Sequence, residues 1–272
     1  MKLSKILCGS LLIAIFYGGV PAQNEIVPII DLRIGGLLGG VKHGKWIEAG
    51  IAAESIMNGA MDLDVYGLRG KEKTPFYAAR RAPVEDVCQD FYRINMDDQK
   101  EQLAVGIGVN GGWNAMPRIP KRVSVQNPAY NAAVVAFLKK EGVKRPVAKI
   151  TQAFQIDLDN DGIDEVLITA TRIKSQFGVG WRAGEYSFAM LRKVTKSGVK
   201  DYLLDGNIHR SAHDDDGAPN RFLISGIADL NGDGKMEIVL YSEYYEGSAS
   251  GAFEMIKGRP EVIEELQIEC GA

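Results

Sequence analysis

Two stretches of the chain carry the same residue pattern, and this duplication constrains the fold more than any other feature. FQIDLDNDGIDEVLITA at Phe154–Ala170 is echoed by SGIADLNGDGKMEIVLYS at Ser225–Ser242, with the leading aspartates, Asp157 and Asp229, 72 residues apart. Each copy reads as an apolar strand, an acidic turn and a second apolar strand, because its runs of Ile, Leu and Val are short and bounded by Asp, Asn and Gly. Further strand-like runs follow each copy: YSFAMLRKV and VKDYLLDG after the first, AFEMIKG and EVIEELQIEC after the second. The second half of the chain therefore predicts two repeated units of roughly four strands each.

The turns carry chemistry. In the first, oxygen-bearing side chains fall at Asp157, Asp159, Asp161 and Glu165, with Gly162 after the third; in the second they fall at Asp229, Asn231, Asp233 and Glu237, with Gly234 in the same place. Calcium takes six to eight hard oxygens at about 2.4 Å, and alternating carboxylates on a tight turn can converge on one ion. The carbonyls of Ile163 and Lys235, at the seventh positions, are the natural main-chain ligands. An EF-hand opens in the same way but needs a bidentate Glu at position twelve and a helix on either side. Here position twelve is Ile168 in one copy and Leu240 in the other, so each loop closes at position nine inside a strand–loop–strand hairpin. The alternative is a pair of solvated acidic turns with no ion. Two like charges about 5 Å apart repel by about 3 kcal/mol at an effective dielectric near 20. Loop one has four carboxylates and loop two three, so the count predicts tighter calcium binding in loop one.

The pattern Asp-x-Asp/Asn-x-Asp-Gly-x-x-acid, followed by an aliphatic strand, resembles the calcium loops of FG-GAP/VCBS-type repeats, found in integrin alpha-subunit propellers and many exported bacterial proteins. The resemblance runs from Phe154 onward. It implies a mainly β fold with FG-GAP-like repeats of a small or partial β-propeller. It also implies Ca2+ bound by the first, third, fifth and ninth side chains and the seventh carbonyl of each loop, which are the ten residues just named. Position nine is Glu in both copies where the family usually has Asp, and the Phe-Gly and Gly-Ala-Pro signatures are absent from their expected places. Residues 25–150 contain no acidic loop of this kind, so a closed propeller would draw its remaining blades from there.

Residues 1–22 have the order of a secretory signal peptide: Lys2 and Lys5, an apolar run from Ile6 to about Val20, then Val20 and Ala22 as small residues before the cut. A membrane anchor is the rival reading, but the run falls short of the roughly 20 residues that span a bilayer. The expected localisation is secreted or periplasmic, with no membrane span after signal removal. Cys8 would leave with the signal. In an oxidising compartment the remaining pair, Cys88 and Cys270, predicts one disulfide, the alternative being two buried free thiols. The chain has net charge −3 and no basic stripe, which argues against a nucleic-acid partner.

Residues 23–126 form a β-rich N-terminal region of short apolar runs cut by glycine, apart from a helical spacing of Ile51, Ala52, Ser55 and Ile56 within Glu48–Asn58, with Gly59 as its terminator. Residues 127–146 read as a helix and connector, the helix lying near 128–141. Asn127 can cap it, Pro128 suits its first position, Tyr130, Ala133, Val134, Phe137 and Leu138 make one apolar face, and Lys139, Lys140 and Gly142 suit its end. Residues 147–272 hold the two calcium-loop repeats.

Other motifs carry weaker signals. GIGVNG at Gly106–Gly111 has dinucleotide-loop spacing, but the prolines that follow do not open a helix, so a glycine-rich turn is favoured. His209, His213 and Asp214–Asp216 could form a metal or hydrolytic cluster, although a solvated linker fits their flanks better. Trp46, Trp113 and Trp181, each beside a glycine turn, could join Tyr186, Tyr244 and Tyr245 in an aromatic surface for a protein or glycan. Packing between strands is the other reading. Glu185 and Glu246 could support glycoside hydrolysis only if a cleft holds them at a defined separation. The function expected is an exported calcium-binding β-repeat protein, a binding or adhesion module for protein or glycan. The alternatives are an exported polysaccharide hydrolase or lyase with structural calcium, or an envelope structural protein.

Overall fold

A computed structural model of the chain describes residues 25–56, 61–72, 76–81, 88, 91–96, 105–173, 181–211 and 220–271. The expected signal peptide, Gly59, His213 and Asp214–Asp216 lie outside them. The described residues are mainly β, in three antiparallel sheets with two helices. The first sheet is built from β1 (Val27–Asp31), β2 (Gly36–Lys42), β3 (Lys45–Glu48), β4 (Met61–Gly67), β5 (Gly70–Lys71), β6 (Phe76–Arg81), β7 (Ile94–Met96) and β8 (Ile107–Val109), with α1 (Ala49–Ile56) after β3. Its order is β3-β2-β1-β8-β4-β6-β7, and β5 pairs with β4 alone. The second contains β9 (Lys121–Arg122), β10 (Ile150–Ile156), β11 (Glu165–Arg172), β12 (Tyr186–Thr195) and β13 (Gly198–Ile208), ordered β13-β12-β11-β10-β9, with α2 (Pro128–Lys140) before β10. The third is β14 (Arg221–Ala228), β15 (Glu237–Tyr244), β16 (Gly247–Ile256) and β17 (Arg259–Gly271), in that order.

The two duplicated units are thus four-stranded antiparallel meanders, β10–β13 and β14–β17. The turns follow from sequence: His43-Gly44 and Lys257-Gly258 both have positive φ at both positions, the geometry that matches strand twist in a two-residue hairpin. In α2 the Asn127 side chain accepts from the Ala129 N–H at 2.9 Å, Ala133, Val134, Phe137 and Leu138 are buried, and Gly142 follows the helix at φ +91°. α1 forms where the helical spacing predicts it, with Ala52 and Ile56 inward as expected and Ile51 turned outward. Ala49, Ala52, Ala53 and Ile56 are buried, at spacings of three, four and seven, while Ile51 is 53% exposed. Three alanines and Ile56 form the buried face, and Ile51 is left outside it.

The N-terminal region and the repeats share one core. A single apolar cluster joins Ile29, Leu38 and Ile107 of the first sheet to Phe154, Leu167 and Leu191 of the second and to Phe222, Ile227 and Leu240 of the third. β14 touches β4 and β8 on one side and β11 and β12 on the other, and β17 packs on β2 and β3. Gly226 permits the first approach, since a Cβ there would fall 2.2 Å from Ile107 Cγ1. On the other side the Gln152 amide of β10 donates to the Ile224 carbonyl at 3.3 Å, and its Oε1 accepts from the Ile224 N–H at 2.8 Å. That satisfies the main chain where β14 bulges away from β15, between Ile224 and Gly226.

Two further ties join the N-terminal region to the third sheet. Asp31, fully buried at the end of β1, accepts at Oδ2 from the hydroxyls of Ser225 on β14 (2.9 Å) and Ser250 on β16 (2.6 Å), and at Oδ1 from the Arg33 N–H (2.9 Å). Cys88 and Cys270 lie at disulfide-bonding distance, with a sequence separation of 182.

Candidate metal centre

Both acidic loops are built by their own aspartates. The first aspartate folds its carboxylate back under the turn. Asp157 accepts from the N–H groups of Asp161 (3.1 Å) and Gly162 (3.0 Å), and Asp229 from those of Asp233 (3.1 Å) and Gly234 (2.9 Å). The fifth residue then accepts from the seventh: Ile163 N–H to Asp161 Oδ1, and Lys235 N–H to Asp233 Oδ1, both 2.8 Å. The ninth reaches back from the start of the next strand, where Glu165 Oε2 accepts from Leu158 N–H at 2.9 Å and Glu237 Oε2 from Leu230 N–H at 2.7 Å. Gly162 and Gly234 stand at φ +83° and +84°, a conformation that disfavours any side chain. Each loop is flanked by strands and closes at position nine, which is hairpin geometry and not that of an EF-hand.

In loop one, Asp157, Asp159 and Glu165 each place a carboxylate oxygen within 4.8 Å of the others, an arrangement that could hold a metal ion. The donors are all hard oxygens, the set suited to calcium or magnesium rather than to a soft metal.

Sequence reasoning missed what faces each loop from the third strand of its unit. The pair Val166↔Arg192 sets the register of β11 on β12, and one step further Lys193 stands opposite Glu165. Its ammonium binds Asp159 Oδ2 at 2.8 Å, Asp161 Oδ2 at 3.2 Å and Glu165 Oε1, with only 7% of the lysine side chain exposed. In the second unit the pair Ile238↔Phe253 places Glu254 opposite Glu237 in the same way. One loop therefore faces a cation and the other a further carboxylate.

The electrostatics follow. Burial pulls Lys193 down, but the bonds to Asp159 and Glu165 win and hold it above the usual lysine range. Burial pushes Glu165 up, and Lys193 and the Leu158 N–H oppose that push. Asp161 is lowered, chiefly by the Ile163 N–H. In loop two burial raises Asp229 and drives Glu237 well above the ordinary carboxylate range, with the charges of Asp233, Asp229 and Glu254 adding to the effect. Among the described residues, the ion pair at this loop is peripheral: Lys235 Nζ is 4.0 Å from Asp233 Oδ2, and both side chains are more than two-fifths exposed.

A segment from the N-terminal region straps the loops together. The Trp113 indole N–H donates to the Asp229 carbonyl at 2.8 Å, and the Asp229 N–H donates to the Ala115 carbonyl at 2.7 Å. Arg118 donates to the carbonyls of Asp157 (2.6 Å), Leu158 (3.4 Å) and Gly234 (2.8 Å) and to Asn160 Oδ1 (3.3 Å). The Met236 N–H completes the link with a 2.8 Å bond to the Leu158 carbonyl.

The other expected site residues are dispersed. Trp181 and Tyr186 are interior, at 6% and 0% exposure, and so are lost to any ligand surface. Tyr186 bonds the Val147 carbonyl and the Lys149 N–H, and Trp181 stacks on His209 at 3.9 Å. Trp46 and Trp113 are half-buried and lie against the second unit, Trp46 donating to Glu254 Oε1 at 3.3 Å. Tyr244 donates to Glu269 Oε1, and Tyr245 is 64% exposed. Glu185 is buried in the turn before β12, where it accepts from the Arg182 N–H, while Glu246 is exposed in the β15–β16 turn. GIGVNG runs from β8 into irregular chain, and no helix follows it. A cavity of about 290 Å³ lies beside loop two, lined by Val27, Val41, His43, Asn110, Trp113 and Asn231 among others.

Compared with protein-family models, curated proteins and solved structures, the chain matches none.

Proposed function

We propose that this is an exported calcium-binding β-repeat protein of FG-GAP/VCBS type, its repeats forming part of a small or partial propeller, in which calcium held by acidic hairpin geometry braces a scaffold that presents a protein- or glycan-binding surface. The observation that carries the reading is the near-identity of the two loops. The same aspartate-to-backbone bonds recur 72 residues on, and in both the ninth-position glutamate is tied to the second loop residue. Loops shaped alike by carboxylates that gather hard oxygens suit a divalent ion better than they suit two unrelated solvated turns. The half-buried Trp46 and Trp113 and the cavity beside loop two supply an apolar surface next to the ion.

The direct test is thermal unfolding of the protein in excess calcium and in chelator. The expected result is a rise in Tm with calcium that follows mass action. Coincident melts would sink the calcium reading. A glycan array and a pull-down, each run with and without calcium, then test the ligand.

A further inference from the structure

We propose that Lys193 is a tethered cation that fills the first acidic loop in place of a metal, so that the two copies of one motif are unequal and loop two is the exchangeable divalent-ion site. This rests on the calcium reading for loop two, but its claim about loop one stands apart from it. An ammonium has three donors, and all three acceptors of Lys193 Nζ are loop-one carboxylates: Asp159, Asp161 and Glu165. All three, at positions three, five and nine, are residues that calcium would need. The ammonium is buried and cannot be rinsed away, so a metal entering loop one must first expel it.

Loop two has the opposite wiring. Glu254 takes the register position of Lys193, held by the Trp46 indole, and the basic groups seen at this loop among the described residues lie at its edge: Lys235, 4.0 Å from Asp233, and Arg118, which bonds the Gly234 carbonyl. Where the first copy neutralises its carboxylates internally, the second adds negative charge. Counting loop carboxylates alone gives loop one the tighter site; counting what the neighbouring strand brings reverses the order.

The test is the number of calcium ions bound by the full-length protein, measured by equilibrium dialysis, for wild type, Lys193→Met, Glu237→Gln and the double variant. The expected stoichiometries are one, two, none and one. A wild type that binds two ions, or a folded Lys193→Met that binds no more than wild type, overturns the proposal. A wild type that binds none while Lys193→Met binds one rejects calcium in loop two and supports the tethered cation in loop one. Should Lys193→Met not fold, reductive methylation of the wild-type lysines, read by mass spectrometry, decides the matter. Lys193 stays unmodified at saturating calcium if it keeps its place, and modification that rises at least tenfold with calcium overturns the proposal.

Discussion

At the scale of single residues, Asp31 has the largest structural role that no motif announced. It is a buried carboxylate, and two of its three acceptor bonds tie β1 to β14 and β16. Replacement by Ala leaves the two serine hydroxyls with only their longer bonds to the Val239 and Leu240 carbonyls, and a loss of about 1–2 kcal/mol is expected from the hydrogen bonds removed. Urea unfolding of Asp31→Ala measures it. Burial raises the Asp31 pKa above 3.8, against the bonds from Ser250, Arg33 and Ser225 and the Arg33 charge. The folded state therefore holds this proton after the unfolded state has released it, so stability falls as pH rises from 3.8 through the folded pKa and is level above that. Unfolding of wild type and Asp31→Asn across that range is expected to show the extra slope in wild type alone. Identical slopes would mean that other carboxylates carry the dependence.

At the scale of elements, the acidic hairpins and α2 were legible because their signals are local. Asp157, Gly162, Asn127 and Pro128 each act within a few residues of themselves, and sequence spacing records such contacts. Lys193 and Glu254 were not legible. The copies run 72 residues apart through Glu165 and Glu237, then lose phase because β11 and β12 are joined by a long connection from 173 to 185, whereas β15 and β16 are joined by Tyr245-Glu246 alone. Aligning the sequences at constant spacing never sets Lys193 beside Glu254; only strand register does. Arg118 is hidden for a related reason, since three of its four acceptors are main-chain carbonyls, which carry no side-chain signature. It joins both loops through a planar fork of donors that a lysine cannot reproduce. Both Arg118→Ala and Arg118→Lys are expected to lose about 1–3 kcal/mol, with faster hydrogen exchange at the amides of Gly162 and Gly234 together. Acceleration at one loop only would show that the strap does not couple them.

At the scale of the whole molecule, the sequence announced a β protein with a duplicated C-terminal half but not the union of that half with residues 25–126. The reason is physical: the union is made by backbone approach at Gly226, by the packing of β17 on β2 and β3, and by single polar groups, none of which has a periodicity. The Cys88–Cys270 bond is the covalent form of the same union, tying the end of β17 to the first sheet's side of the core. A closed loop with a sequence separation of 182 limits the unfolded chain strongly. The chain-entropy estimate is about 5 kcal/mol and measured losses run to roughly 2–5. Cys88→Ser with Cys270→Ser is therefore expected to cost roughly 2–5 kcal/mol in urea unfolding, with a larger m-value because the unfolded chain is no longer held compact. On the proposed calcium reading, the ion stabilises by binding the native state, whereas the crosslink acts on the unfolded ensemble, so the two contributions are expected to add. Chelator should lower the midpoint by the same free energy with and without the disulfide. A crosslink-free variant whose calcium increment vanished would show instead that the bond shapes the native loops, and that the ion sites depend on the N-terminal sheet being held in place.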